Sequence, residues 1–274
     1  MPTKTKAKTA KALKPGISIP EIIRLLTEQY GPFPQEPRLD PAHELTFTVL
    51  SQHTSDINSE RAFRQLMNRF ENLHAVAAAQ VDEIESTISV GGLAKIKAPR
   101  IKAILTRVLE LNENSFDLSF LAEMPLDDAK AWLRQLPGIG PKSAGIILNF
   151  SLGMPAMAVD THIYRVAQRL GLIGPKTNAN QAHDVLEAAV EPDQVFPFHI
   201  SFITHGRQVC KAQRPKCEDC VISFGCPSRD RMLGSPETQP AAAPKQKKQR
   251  KGKPAQFPHT PVMPNSPVMK ESKK

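Results

Sequence analysis

Apolar residues recur through the middle of the chain at helical rather than strand spacing. Pro20 suits the first turn of a helix running through EIIRLLTEQY, and PAHELTFTVLSQ places Leu45, Val49 and Leu50 on one side. The segment SERAFRQLMNRF repeats Phe63, Leu66 and Phe70, and APRIKAILTRVLEL repeats Ile101, Ile104, Leu105 and Val108. These positions are read as core. Two further helices, DAKAWLRQL and KSAGIILNFSL, flank a short break at which Pro137 and Gly138 stop the first. With one Trp, two Tyr and abundant Leu, Ile and Ala, the pattern predicts an all-α fold.

Composition sets the scale. At 274 residues and 40% hydrophobic content the chain can bury one or two substantial cores. No apolar run matches a membrane span, and the N-terminus lacks an apolar signal segment, so a soluble, cytoplasmic and nucleoid-associated protein with no membrane partner is expected. No sustained heptad pattern is present, and a monomer is expected.

The net charge of +9 belongs to the ends. Residues 1–15 carry +5 and residues 234–274 carry +7, which leaves the body three charges to the negative side. Residues 1–17 and 234–274 are read as disordered basic tails, the second holding KQKKQRKGK. Such tails attract phosphate without selecting sequence, or simply aid solubility. Specific contacts must come from local charge on the body, residues 18–233.

The break itself reads LPGIGPKSA. A Walker loop needs glycine immediately before its lysine and another five residues further back, where this chain has Pro141 and Leu136. A dinucleotide motif needs a preceding strand, and here a helix precedes, so no nucleotide cofactor is expected. Gly138 and Gly140 free the backbone on either side of Ile139, which anchors the turn in the core. A helix-hairpin-helix over residues 128–151 can aim backbone N–H groups at one DNA phosphate, or can merely connect two helices. Upstream, VGGLAKIKAPR is a glycine-containing turn where Leu93 is either a wedge for a kinked duplex or an ordinary packed leucine.

All four cysteines lie in CKAQRPKCEDCVISFGC, spaced C-x6-C-x2-C-x5-C. Cys210, Cys217, Cys220 and Cys226 are a metal-ligating set, for a [4Fe–4S] cluster ahead of zinc, since only Cys217 and Cys220 form a close pair. Arg207, Lys211, Arg214 and Lys216 crowd the first loop, where they compensate the thiolates, meet phosphate, or do both.

Together LPGIGPKSAGIILN, AVDTHIYRVAQRL, HGRQVC and the cysteine array resemble the endonuclease III branch of the helix-hairpin-helix DNA glycosylases, over most of residues 18–228. The resemblance implies two helical lobes flanking a DNA-binding cleft. One lobe, about residues 40–189, holds the hairpin; the other joins the N-terminal helix to residues 190–233 with the cluster. It implies damaged double-stranded DNA as partner and a bifunctional glycosylase and apurinic/apyrimidinic lyase acting on oxidised pyrimidines such as thymine glycol. Uracil, mismatched thymine or another altered base is the alternative substrate, and a non-enzymatic DNA-binding protein the alternative function.

Lys142 opens the second hairpin helix, where the helix field favours an uncharged, nucleophilic amine able to form a Schiff base at C1′. Asp160 stands where it could cap the next helix, and the resemblance places its carboxylate across the cleft from Lys142. His162 is read as local support. In SQHTSD the family often carries glutamine at the third position; this chain has His53 there, with Gln52 just before it and Asp56 as a local brace. His53 and Gln52 are both candidates to replace the stacking lost when a nucleotide is everted.

Overall fold

Ile22, Ile23 and Leu26 fall on one face of IPEIIRLLTEQY, and in the computed structural model they form the buried side of α1 (Ile19–Tyr30). The structure describes residues 16–233. The readings of the basic tails therefore lie outside the described residues, with one correction at the boundary. Gly16 approaches the Gly225 carbonyl, and Ile17, placed in the tail by its sequence, is buried against the cysteine loop.

The remaining helices are α2 (Pro41–Ser51), α3 (Asp56–Phe70), α4 (Leu73–Ala78), α5 (Val81–Thr87), α6 (Ala94–Leu111), α7 (Leu126–Leu133), α8 (Pro141–Leu152), α9 (Thr161–Leu170), α10 (Ala179–Glu187), α11 (Val195–Gln208) and α12 (Arg229–Leu233). No strand occurs among the described residues, and the fold is all-α as the periodicity predicts.

Two cores are present. The first gathers residues from Leu39 to Ala156 around α2, which packs against α3, α6 and α8 and is buried on nearly every side. A helix so enclosed needs its polar groups answered, and Glu44, fully buried, is held by the Arg38 guanidinium through Nε at 3.0 Å and through Nη2. Arg38 also lies 4.5 Å above the Phe47 ring. The second core joins Ile17–Tyr30 to residues from Met157 to Ile222.

The chain therefore changes lobe between Ala156 and Met157, well before the boundary near residue 189 expected from sequence. The reason is the apolar face of α9, where Ile163, Val166, Ala167 and Leu170 meet α11. Gly206 lets α11 come close: a Cβ there would stand 2.9 Å from His162 Cβ. Ala182 and Leu186 carry α10 into the same core.

Candidate active site and cysteine loop

The regular part of α7 ends at Leu133, three residues before the leucine preceding Pro137, and turns closed by Leu136 N–H to Leu133 O and Ile139 N–H to Leu136 O complete the hairpin. Leu133 is four residues before Pro137, and its carbonyl is the one a helical proline at 137 would clash with, so Pro137 bars the helix from continuing as its sequence predicts. Ile139 is buried, as an anchor should be. Only one of the two flanking glycines uses its special freedom. Gly138 sits at φ +79°, whereas Gly140 is extended at φ −97° and serves as the N-cap of α8. Pro141 occupies the first position of α8 and Lys142, exposed, the second.

Lys142 and Asp160 belong to opposite lobes, and two contacts fix their relation. Gly145, one turn after Lys142, lies against the extended segment leading to Asp160: a Cβ would stand 2.7 Å from Met157 O and 3.1 Å from Ala158 Cβ. Behind them His199 of α11 bonds the Ala158 carbonyl through Nδ1 at 3.0 Å and meets the Phe150 ring of α8 edge-on at 5.1 Å. Burial pushes the His199 imidazole down to about 4; Asp160 pulls it upward, while Lys142 and Arg207 push it further down.

Asp160 does cap α9. Its Oδ1 accepts from His162 N–H at 2.8 Å and Ile163 N–H at 2.7 Å, which leaves Oδ2 outside the cap bonds. Capping and chemistry are compatible uses of the two oxygens. His162 meets Arg165 Nη2 at 3.1 Å, a local role as expected.

Two loops flank the hairpin. Gln52 ends α2 and its Oε1 accepts from Arg100 Nη1 at 2.8 Å; the same guanidinium lies against Gly138. Gln52 is thereby turned to the protein, while His53 is exposed at φ +52°. Leu93, at φ +53°, is half exposed. Asp56 is not a local brace. It pairs with Arg207 Nη1 at 2.9 Å and so joins α3 to α11 across the two lobes. Arg100, Lys97 and His199 escape sequence reading because their partners lie 48, 47 and 41 residues away.

The four cysteines line one cavity together with His205, Arg169 and Lys216. Burial pushes the Cys220 thiol up to about 11 and raises Cys217 and Cys226, so a strongly electrophilic metal centre is needed to hold them as thiolates. The loop is pinned from α9: Arg165 Nε donates to Cys210 O at 2.9 Å, and Arg169 donates to Cys210 Sγ at 3.3 Å and to the Lys211 and Ala212 carbonyls. His205, its imidazole pushed down to about 4 by burial, stands 3.6 Å from Cys220 Sγ and 2.9 Å from the Tyr30 hydroxyl. The donor set fits a thiolate-ligated cluster. Lys211, Arg214 and Lys216 are exposed around it.

The sequence pattern of the HhH-GPD superfamily of base excision DNA repair proteins matches residues 47–192. The chain belongs to this superfamily. A second pattern, the iron–sulfur binding domain of endonuclease III, matches residues 210–226, which supports an iron–sulfur cluster rather than zinc at the four cysteines. Endonuclease III of Thermotoga maritima is 33% identical over 187 residues, covering 68% of this chain and 83% of the relative. Endonuclease III of Escherichia coli is 30% identical over 192 residues, covering 70% and 86%.

Among solved structures, a trapped endonuclease III–DNA covalent intermediate has a TM-score of 0.68 at 24% identity, covering 79% of this chain and 97% of that one. A thermostable thymine-DNA glycosylase has a TM-score of 0.62 at 23% identity, covering 77% and 94%. These likenesses are of fold. The HhH-GPD chain is an enzyme of base excision repair, a DNA glycosylase and apurinic/apyrimidinic lyase, and the non-catalytic alternative is set aside.

Proposed function

We propose that the enzyme removes oxidised pyrimidines such as thymine glycol from damaged duplex DNA through a Schiff base on Lys142. The observation that carries this reading is the packing of Gly145, one turn after Lys142, against the Met157–Ala158 segment that leads to Asp160, with His199 bonded to the Ala158 carbonyl behind them.

The hairpin at Gly138, Ile139 and Gly140 and the first turn of α8 offer backbone N–H groups to a phosphate, and Lys211, Arg214 and Lys216 extend the phosphate-facing surface. Arg207 adds a charge at the seam, shared with Asp56. His53 fills the space of the everted nucleotide, with Gln52 held behind it by Arg100, and Leu93 supports the strand opposite.

The Lys142 amine, unprotonated, attacks C1′; the glycosidic bond breaks and the base leaves with a proton. The Asp160 carboxylate stabilises positive character at C1′ and assists proton transfer. Loss of the sugar ring oxygen from C1′ gives the iminium. Removal of a C2′ proton then expels the 3′ phosphate by β-elimination, and water releases the lysine. A cluster held by Cys210, Cys217, Cys220 and Cys226 supplies a rigid staple for the loop that carries Lys211, Arg214 and Lys216.

Single-turnover assays on otherwise identical duplexes containing thymine glycol, uracil opposite guanine, or thymine opposite guanine test the substrate. The expected result is fastest base release from thymine glycol. Faster release of uracil or mismatched thymine would move the assignment to those bases.

A further inference from the structure

One buried cation takes no part in the chemistry just described. Lys97, in the first turns of α6, is 2% exposed. Its Nζ donates to Leu50 O at 2.7 Å, to Gly91 O at 3.0 Å and to Thr54 Oγ1. The Thr54 hydroxyl in turn donates to Gly91 O at 2.6 Å. An ammonium has three donors on a compact charge, and here all three are used.

The acceptors are not scattered. Leu50 lies in the last turn of α2, two residues before Gln52; Thr54 directly follows His53; Gly91 precedes Leu93 by two. His53 and Leu93 are both non-glycine residues in the left-handed region, at φ +52° and +53°, a conformation that persists only where its surroundings impose it. The two side chains left exposed by this arrangement are the two assigned above to the duplex.

We infer that Lys97 is a positioning residue that locks the His53 and Leu93 loops into a single two-pronged probe of the DNA. This rests on the proposed DNA-facing roles of His53 and Leu93. The buried ammonium holds both loop backbones to one point, so neither prong can retract without leaving a buried carbonyl or the cation itself unanswered. The two side chains therefore enter the duplex as a unit when a nucleotide is everted.

The test is a double-mutant cycle of His53→Ala and Leu93→Ala, read as single-turnover base release from a thymine glycol duplex, in the wild-type and Lys97→Met backgrounds. A parallel arm measures borohydride trapping on a preformed abasic site, where no base has to be unstacked. In the wild-type background the double variant should lose less than the product of the single losses. Lys97→Met should slow base release on the order of a hundredfold, make the remaining His53 and Leu93 effects multiply independently, and leave abasic-site trapping nearly unchanged. Where Lys97→Met does not fold, Thr54→Val, which removes one of the three acceptors, carries the same cycle.

Independent losses in the wild-type background would overturn the inference. So would an equal fall in base release and abasic-site trapping, which would make the lysine a fold-holding residue only. No loss from either His53→Ala or Leu93→Ala would remove the DNA-facing reading beneath it, and the inference with it.

Discussion

Gly145 lies so close to Met157 that a Cβ on the glycine would stand 2.7 Å from the methionine carbonyl oxygen. The contact joins the helix that begins with Pro141 and Lys142 to the segment that ends at Asp160, and so sets the width of the site from beneath. Gly145→Ala should therefore destabilise the protein by about 1–3 kcal/mol and, by parting Lys142 from Asp160, slow base release on the order of a hundredfold. Gly140→Ala is the contrast: its Cβ would meet nothing within 4 Å, and its extended backbone suits alanine. It should cost under about 1 kcal/mol, the difference between glycine and alanine at an N-cap. Thermal denaturation and single-turnover kinetics on the two variants check both statements.

Asp160 has two uses that substitution can separate. Asparagine caps a helix as well as aspartate, so Asp160→Asn should keep stability within a few tenths of a kcal/mol, while Asp160→Ala should lose about 1 kcal/mol. Both should lose base release on the order of a hundredfold or more, because neither carries the charge opposite C1′. Full activity in Asp160→Asn would reduce the residue to its cap bonds to His162 and Ile163.

The parts of this site that were legible in sequence are those written in short contiguous stretches. The hairpin around Ile139, the four cysteines and the helical faces bearing Phe63 or Ile104 each depend on neighbours within a few residues. The lobe boundary was not legible, because the apolar face of α9 states that the helix is buried without stating against which core. Lys97 shows the same limit more sharply: in AKIKAPR it reads as one basic residue among several, and only the fold brings Leu50, Thr54 and Gly91 to it. Asp56 reads in sequence as a local brace for the same reason, its partner Arg207 being 151 residues away.

The buried histidine behind the site gives a pH signature. An unfolded histidine titrates near 6.5, whereas burial pushes His199 down to about 4. As the pH falls through this window the unfolded chain takes up a proton that the folded protein refuses, so stability falls from about pH 6.5 towards pH 4 and the contribution is complete above it. His199→Asn retains an N–H donor for the Ala158 carbonyl without titrating there. Denaturant unfolding across the window should show a shallower loss for the variant, by up to about 1.4 kcal/mol per pH unit.

The most direct test of the central claim is borohydride trapping of the purified, cluster-loaded enzyme on a duplex containing one thymine glycol, beside the Lys142→Ala variant. Lys142 is exposed at the second position of α8, so the variant should keep its fold to within about 0.5 kcal/mol. A covalent protein–DNA adduct and strand cleavage in the wild type, both lost in a folded variant that still binds DNA, is the predicted result. An adduct that survives Lys142→Ala, or base release by the wild type without any adduct, would contradict it.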